Sequence, residues 1–181
     1  SGTVTIELYP MDAPDHVDNF KTLVNDGDYD NTIFHRIIDG FMIQGGDFTN
    51  QDGTGGHAGN FYGYCNGQVS EDSTCSGAGA SAWTVPDEAD NGRVHNACTI
   101  SMAKTSAPHT GGSQFFLIPE DSAPDWLDGV HTVFGSITDG CEHVTSISEV
   151  ATGEGDVPAQ AVTLVSATFV GSEVTPWYQF W

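Results

Sequence analysis

Two short apolar runs flank a glycine turn in the sequence Phe34-His35-Arg36-Ile37-Ile38-Asp39-Gly40-Phe41-Met42-Ile43-Gln44-Gly45-Gly46-Asp47-Phe48. Both runs are rich in branched and aromatic residues and are too short for helices, which favours β-strands. Asp39-Gly40 is a dipeptide typical of tight hairpin turns. We therefore predict a hairpin with strands at Ile33–Ile38 and Phe41–Gln44.

Patterns on either side of this hairpin predict more strands and two helices. Thr3–Tyr9 alternates polar and apolar residues, as a half-buried strand does. Asp12-Ala13-Pro14 offers a helix N-cap and a first-turn proline, and Gly27 ends the helix that follows. A second helix is predicted at about 142–150, and further strands at 97–103, 113–118, 131–137 and 162–170. This set is typical of a mainly β fold, a closed antiparallel barrel with helical lids.

The charge composition excludes two classes of partner. The 181 residues include 25 acids but only four Lys or Arg, for a formal net charge of −21. Nucleic-acid binding and anionic membrane surfaces both require a basic face, which four cations cannot supply. No apolar run approaches the ~18 residues of a membrane span. Two explanations of the charge stay open: adaptation to high salt, and an acidic secreted or marine protein.

The length suits one domain, predicted at 1–170. Within it, a Gly-, Ser- and Asn-rich segment at about 57–82 has no clear periodicity and is interpreted as an irregular insertion. An aromatic tail follows at 171–181 and contains Thr175-Pro176-Trp177, which either docks on its own domain or occupies the site of a neighbouring molecule. The start at Ser1-Gly2, with no signal peptide, favours a processed end. No compartment is predicted.

Cysteines and histidines give no metal-binding pattern. The four cysteines lack Cys-x-x-Cys spacing and the seven histidines lack ligand spacing, so neither a metal nor a cofactor is expected. A disulfide between Cys65 and Cys75 is the leading interpretation, with free thiols or metal ligation as alternatives. Cys98 and Cys141 are predicted to be buried free thiols. Glu71-Asp72 is interpreted as a solvated loop, with a Ca²⁺ site as the alternative.

Arg36 stands out because it follows His35 inside an apolar strand of a chain that has almost no cations. From these facts alone it is either a structurally paired residue or an active-site hydrogen-bond donor. Both interpretations remain open at this point. No nucleophile elbow, P-loop or dinucleotide-binding glycine pattern offers another reaction.

The sequence of residues 34–48 resembles the central motif of the cyclophilins, the cyclosporin-type peptidyl-prolyl isomerases. Other blocks follow in family order and cover roughly residues 2–170, less the insertion: Ala13-Pro14 with Val17, Asn19 and Phe20; Ile100-Ser101-Met102-Ala103; Gly112-Ser113-Gln114-Phe115-Phe116; and Trp126-Leu127-Asp128-Gly129 with His131, Val133, Phe134 and Gly135. The resemblance implies a closed eight-stranded antiparallel β-barrel capped by two α-helices, in line with the pattern-based prediction.

The resemblance also implies roles for individual residues. Arg36 is expected to be catalytic, and Gln44 to hydrogen-bond the substrate backbone. The pocket for the proline ring is expected from Phe41, Met42, Phe116 and Leu127, although their default is barrel core. Ala103 and Lys104 are expected on the rim, and His35, Trp126 and His131 elsewhere in the groove. Lys104 stands where many relatives have Asn, and one residue is inserted between Met102 and Ser113, so the rim departs from the family.

The resulting expectation is a peptidyl-prolyl cis–trans isomerase that acts on Xaa-Pro segments of client polypeptides without a covalent intermediate. The Trp at position 126 implies inhibition by cyclosporin, and a monomer is expected. The alternative is a non-catalytic module that binds proline-containing segments. An assembly role through the insertion and the tail is a third hypothesis.

Overall fold

The computed structural model describes residues 2–170, so hypotheses about the tail at 171–181 lie outside the described residues. In chain order the strands are β1 (Thr5–Leu8), β2 (Thr32–Ile33), β3 (Arg36–Ile38), β4 (Met42–Gly45), β5 (Tyr64–Cys65), β6 (Gln68–Val69), β7 (Thr99–Met102), β8 (Phe115–Leu117), β9 (Val133–Asp139) and β10 (Thr163–Leu164). The two helices are α1 (Pro14–Asp26) and α2 (Cys141–Ser148). Two helices and a mainly antiparallel sheet were predicted, and both are confirmed.

The main sheet contains six strands in the order β1-β9-β7-β8-β4-β3. Every neighbouring pair in it is antiparallel. Two pairs lie outside this sheet, β2 with β10 and β5 with β6. The main sheet and the β2–β10 pair together supply eight strands.

The predicted strand at Ile33–Ile38 is split in two, which corrects the sequence interpretation. Thr32 and Ile33 pair with β10, and the N–H of Phe34 donates to the carbonyl of Val162. From Arg36 onward the chain pairs instead with β4. The change of partner ends one strand and begins the next, although the apolar pattern runs through both.

Helix α1 begins with a cap that the sequence did not reveal. Asp12 was the predicted N-cap, but no side chain at the start of the helix caps it. The carboxylate of Glu88 instead accepts hydrogen bonds from the backbone N–H groups of Asp15 and His16, at 3.1 and 3.0 Å. A remote acid thus satisfies helix N–H groups that a local cap would otherwise serve. At the other end, Gly27 has a φ of 76°, a left-handed conformation that favours glycine.

The hydrophobic core packs both helices, α1 and α2, against the main sheet. Phe20 of α1 meets Phe115 of β8 edge-on at 5.6 Å and lies 5.4 Å from Phe134 of β9, measured between ring centroids. Tyr29 is fully buried, and its hydroxyl donates to the carbonyl of Ser113 at 2.8 Å. This aromatic cluster joins the first helix to the strand that carries Phe116, and so sets the position of the site.

The irregular segment at 57–82 contains the short β5–β6 hairpin and two 3-10 turns, Cys75–Gly77 and Gly79–Ala82. A disulfide joins Cys65 to Cys75, across 10 residues of sequence. The segment is held to α1 by hydrogen bonds from Gly59 N to Asn19 Oδ1 at 2.8 Å and from Asn60 Nδ2 to Thr22 Oγ1 at 3.0 Å.

Cys98 and Cys141 form a second disulfide, so the prediction that they are free thiols is wrong. Cys98 immediately precedes β7, and Cys141 is the first residue of α2. Because β9 pairs with β7 and leads into α2, the two residues meet with Cα atoms 5.8 Å apart. The two cysteines are 43 residues apart in the sequence, and this spacing alone does not indicate that they pair.

No helix in the described residues could cross a bilayer, since the longer one, α1, has 13 residues and a span needs about 20.

Candidate active site

A cavity of about 230 Å³ opens on the face formed by β3, β4, β8 and the loops beside them. Nine side chains line it, and all nine were predicted site residues: Arg36, Phe41, Met42, Gln44, Ala103, Lys104, Phe116, Leu127 and His131. The structure therefore brings together residues that are up to 95 positions apart, from Arg36 to His131.

Strand register explains why the central side chains share one face. Arg36 lies opposite Gln44 in the β3–β4 pair, and Gln44 lies opposite Phe116 in the β4–β8 pair. Directly paired residues on neighbouring antiparallel strands point to the same side of a sheet. A row of guanidinium, amide and phenyl groups is the result.

The floor of the cavity is apolar. Met42 and Phe116 are almost fully buried and pack with Ile118, and Phe41, Ala103 and Leu127 pack partly exposed around them. Beneath Phe116 the ring of His95 is stacked at 5.9 Å, and its Nδ1 and Nε2 bond Asp128 and Ser101 at 2.7 and 2.9 Å. The floor is thus supported from below by a buried hydrogen-bond network.

Arg36 is the exposed cation of the cavity. Its side chain is 43% exposed, and its Nε donates to Asp156 Oδ2 at 3.2 Å. Lys104 also carries a positive charge, but only 7% of its side chain is exposed and its Nζ lies 3.6 Å from Asp87 Oδ2. Both cations therefore have a carboxylate partner, and Arg36 is the more exposed of the two.

Burial lowers the pKa of two histidines in this region. Burial lowers the pKa of His131, and the Lys104 cation acts in the same direction against a hydrogen bond to the Met102 carbonyl. Burial likewise lowers the pKa of His95, against the opposing influence of Asp128. The lowered pKa of His131 favours its neutral ring, and Arg36 is the exposed cation among the nine lining residues.

Two predicted groove residues lie outside the cavity lining. Trp126 is 66% exposed at the edge, where its ring centroid is 5.6 Å from that of Phe41. His35 is buried, and both of its ring nitrogens lack a hydrogen-bond partner within residues 2–170. Gly53 packs against this ring so closely that a Cβ there would lie 2.8 Å from His35 Nε2.

A larger hollow of about 600 Å³ adjoins the cavity and shares Gln44, Ala103 and Lys104 with it. Its wall includes Asn66, Ser81 and Trp83, which lie in or beside the irregular segment. The indole N–H of Trp83 donates to the Ser73 carbonyl at 2.8 Å. The site is therefore an elongated depression, with an apolar end near Phe116 and a more polar end near the segment.

A sequence model of the family described as "Cyclophilin type peptidyl-prolyl cis-trans isomerase/CLD" matches residues 1–169. The chain belongs to the cyclophilins. One relative, the peptidyl-prolyl cis-trans isomerase-like 1 of Gibberella zeae, is 38% identical over 95% of this chain and 91% of its own. The peptidyl-prolyl cis-trans isomerase cyp18 of Streptomyces antibioticus is 34% identical over 94% and 95% of the two chains. Membership of this family makes the chain a peptidyl-prolyl cis–trans isomerase.

The cyclophilin fold is also found among solved structures. A cyclophilin-type isomerase of Cryptosporidium parvum, crystallised in the presence of the dipeptide Ala-Pro, superimposes with a TM-score of 0.74. The two chains are 30% identical, and the match covers 91% of this chain and 90% of the other.

Three residues that organise this cyclophilin site were missed from the sequence. Asp156 holds Arg36, and Gln114 holds Gln44 through a 2.9 Å bond from Gln44 Nε2 to Gln114 Oε1. Asp47 anchors the loop at 49–55 by accepting hydrogen bonds from several of its backbone N–H groups. Asp47 and Gln114 lie inside the quoted motifs, so their sequence positions were visible but their contacts were not. Asp156 had no sequence signal.

Of the described residues, Cys98, Glu120 and Cys141 alone approach one another closely enough to ligate a metal ion. Both cysteines are in the disulfide and so offer no thiolate.

Proposed function

We propose that this isomerase accelerates Xaa-Pro rotation by donating a hydrogen bond from Arg36 to the prolyl nitrogen as the amide twists. Rotation about a peptide bond is resisted by ~18–20 kcal/mol, because the nitrogen lone pair is delocalised into the carbonyl. Xaa-Pro bonds exchange over tens to hundreds of seconds without help. In the twisted state the nitrogen regains its lone pair and becomes an acceptor. A donor that binds this state better than the planar one lowers the barrier.

Arginine suits this role for two physical reasons. Its guanidinium stays protonated at any physiological pH, and its fork of N–H groups is rigid. A charge-assisted hydrogen bond contributes about 1.5–3 kcal/mol, which corresponds to roughly a 10- to 100-fold change in rate. No bond is broken in the rotation, so the mechanism requires no covalent intermediate.

The apolar floor is proposed to hold the proline ring while the preceding residue rotates. Met42, Phe116 and Leu127 offer a hydrophobic surface a few side chains wide, with Phe41 at its side. Gln44 stands between this floor and Arg36 in the strand register, and its amide is proposed to bond the peptide backbone on the other side of the prolyl ring. Because one end of the substrate is held in place, rotation of the other end takes place about the Xaa-Pro bond.

The observation that carries this proposal is the presence of one exposed guanidinium and a buried phenyl floor in the same cavity. The test is an isomerase assay on a short peptide with a single Xaa-Pro bond. Arg36→Ala is expected to lower kcat/KM by about 10- to 100-fold while the circular dichroism spectrum is unchanged. Arg93→Ala is the matched control, because it removes the other arginine, which lies on the surface against Asp12 and Tyr9.

A non-catalytic peptide-binding module is the alternative, and family membership weighs against it. In that case wild-type protein would bind the peptide but leave its exchange at the uncatalysed rate. The natural substrates are proposed to be Xaa-Pro segments of client polypeptides, with the Ala-Pro dipeptide named for the Cryptosporidium relative as supporting evidence.

We further propose inhibition by cyclosporin, supported by the exposed indole of Trp126 beside Phe41. Trp126→Ala is expected to weaken inhibition at least several-fold, because an exposed indole offers a large apolar contact. An inhibition constant that this substitution leaves unchanged would contradict the proposal.

We also propose a barrel closure, a domain extent and an oligomeric state for this chain. The β2–β10 pair is proposed to complete an eight-stranded closed barrel with the main sheet, because β2 leads through Phe34 and His35 directly into β3 at the edge of that sheet. One domain is proposed at 1–170, with the insertion at 57–82. A monomer is proposed, and light scattering across a concentration series tests it.

A further inference from the structure

The guanidinium of Arg36 is held by a residue far away in sequence. Its Nε donates to Asp156 Oδ2, and the two residues are 120 positions apart. Asp156 ends a short 3-10 turn, Glu154–Asp156, which packs beside β3. Both side chains are about half exposed, at 43% and 44%. The Arg36 side chain is therefore already bonded to Asp156 before substrate binds.

The tether uses the one guanidinium nitrogen that lies nearest the backbone. Among the described residues, neither Nη group of Arg36 has a hydrogen-bond partner. A guanidinium has five N–H groups in a fixed planar fork, so fixing Nε–H also fixes the plane in which the Nη groups point. An exposed arginine without such a bond would sample many rotamers.

The backbone of the turn is shaped to present this carboxylate. Asp156 has a φ of 62°, and Gly155 before it has a φ of 73°. Left-handed backbone is uncommon outside glycine, although Asp and Asn adopt it more readily than other residues. The turn is closed by a 2.8 Å bond from Gly153 N to the Val157 carbonyl and by pairing of Thr152 with Pro158. Such conformations persist where the surroundings fix them.

We propose that Asp156 is a positioning residue for Arg36: it holds Nε so that the Nη groups face the substrate. This inference rests on the proposed role of Arg36 in rotation. The effect is assigned to hydrogen-bond geometry rather than to charge, because half-exposed ion pairs are screened and contribute little by themselves. An asparagine at this position would keep both the acceptor oxygen and the left-handed backbone.

Kinetics of four variants test the proposal on the whole chain. Asp156→Ala and Asp156→Gly both remove the acceptor, and glycine also removes any backbone strain at this φ. Each is expected to lower kcat about 5- to 10-fold with KM within twofold of wild type. Asp156→Asn should stay within threefold of wild type. Glu154→Ala, which removes an acid of the same turn that does not bond Arg36, should match wild type.

A nuclear magnetic resonance measurement reports the tether directly. The chain has two arginines, so its spectrum contains two Nε–H signals. Arg93 Nε bonds Asp12 Oδ2 at 2.9 Å and serves as an internal control. The Asp156→Ala and Asp156→Gly truncations, which remove the acceptor oxygen, should shift the Arg36 signal and accelerate its exchange with solvent, and leave the Arg93 signal unchanged. Asp156→Asn should retain the Arg36 signal.

The outcomes separate this proposal from the one on which it rests. If Arg36→Ala is as active as wild type, the proposed chemistry of Arg36 fails. If Arg36→Ala is impaired but both Asp156 truncations keep full kcat, the positioning role alone is overturned. It is also overturned if the truncations raise kcat, since Asp156 would then compete with substrate for the guanidinium. Equal loss in Asp156→Asn and Asp156→Ala would show that geometry is not the cause.

Discussion

The side-chain amide of Gln44 donates a 2.9 Å hydrogen bond to Oε1 of Gln114, whose own Nε2 donates to the carbonyl oxygens of Gly53 and Gly55 at 2.9 and 2.8 Å. Gln44 is thereby fixed to the loop at 49–55 through a residue that does not itself line the smaller cavity. The orientation of the proposed substrate-binding amide depends on this relay.

Gln114→Leu is expected to raise KM about three- to tenfold with a smaller change in kcat, because Gln44 would lose the partner that orients it and a neutral hydrogen bond is worth about 1 kcal/mol. Steady-state isomerase kinetics check this. Gln68→Leu, at an exposed position on β6, is the control for the chemical change. An unaltered KM in Gln114→Leu would show that the relay has no role in binding.

Asp47 gives the protein a specific acid sensitivity. Burial would raise the pKa of this carboxyl, but hydrogen bonds from the N–H groups of Asn50, Gly55 and Gly53 and from the Thr49 hydroxyl outweigh it and lower the pKa to about 2. The usual value of 3.8 applies in the unfolded chain. The unfolded state therefore binds more protons between these values, and stability falls as pH decreases from about 4 towards 2.

Asp47→Asn is expected to lower the free energy of unfolding at pH 7 by about 2–3 kcal/mol, the equivalent of the pKa difference at 1.36 kcal/mol per unit. The difference in free energy of unfolding between variant and wild type should decrease to near zero as pH falls towards 2. Urea denaturation from pH 7 down to 2 measures it, with the exposed Asp121→Asn as control. A gap that is constant with pH would contradict the proposed cause.

The two disulfides should differ in their contribution to stability. Cross-links that close longer loops remove more entropy from the unfolded chain, which gives about 4 kcal/mol for the 43-residue Cys98–Cys141 loop and about 2.7 kcal/mol for the 10-residue Cys65–Cys75 loop. Double replacement by alanine of each pair, followed by urea denaturation, tests this order. A larger loss from the Cys65/Cys75 variant would reverse it.

Much of the fold was predictable from local pattern. The residues around Asp39-Gly40 do form paired strands, with Ile37 opposite Ile43. Strand ends were less accurate, because they depend on the partner: β10 contains only Thr163 and Leu164, although the apolar pattern runs much further. The split at Phe34 and the Cys98–Cys141 bond have the same origin, since both arise from contacts between segments distant in sequence.

The floor of the site was predictable because its residues lie in motifs that follow one another in a fixed order. The residues that hold α1 and the site in place could not be predicted. Asp156 and Glu88 act through carboxylates that reach their partners only after folding, and in a chain with 25 acids nothing local distinguishes them. His35 illustrates the converse, since this motif residue next to Arg36 is buried and does not line the cavity.

Binding and turnover measured in one sample test the central claim most directly. Exchange spectroscopy on a labelled peptide with one Xaa-Pro bond gives the catalysed rotation rate, and chemical-shift titration of the same mixture gives the affinity. For Arg36→Ala we predict a rotation rate about 10- to 100-fold below wild type and an affinity within about threefold, because the apolar floor is intact. A rotation rate equal to that of wild type at equal occupancy would contradict the account.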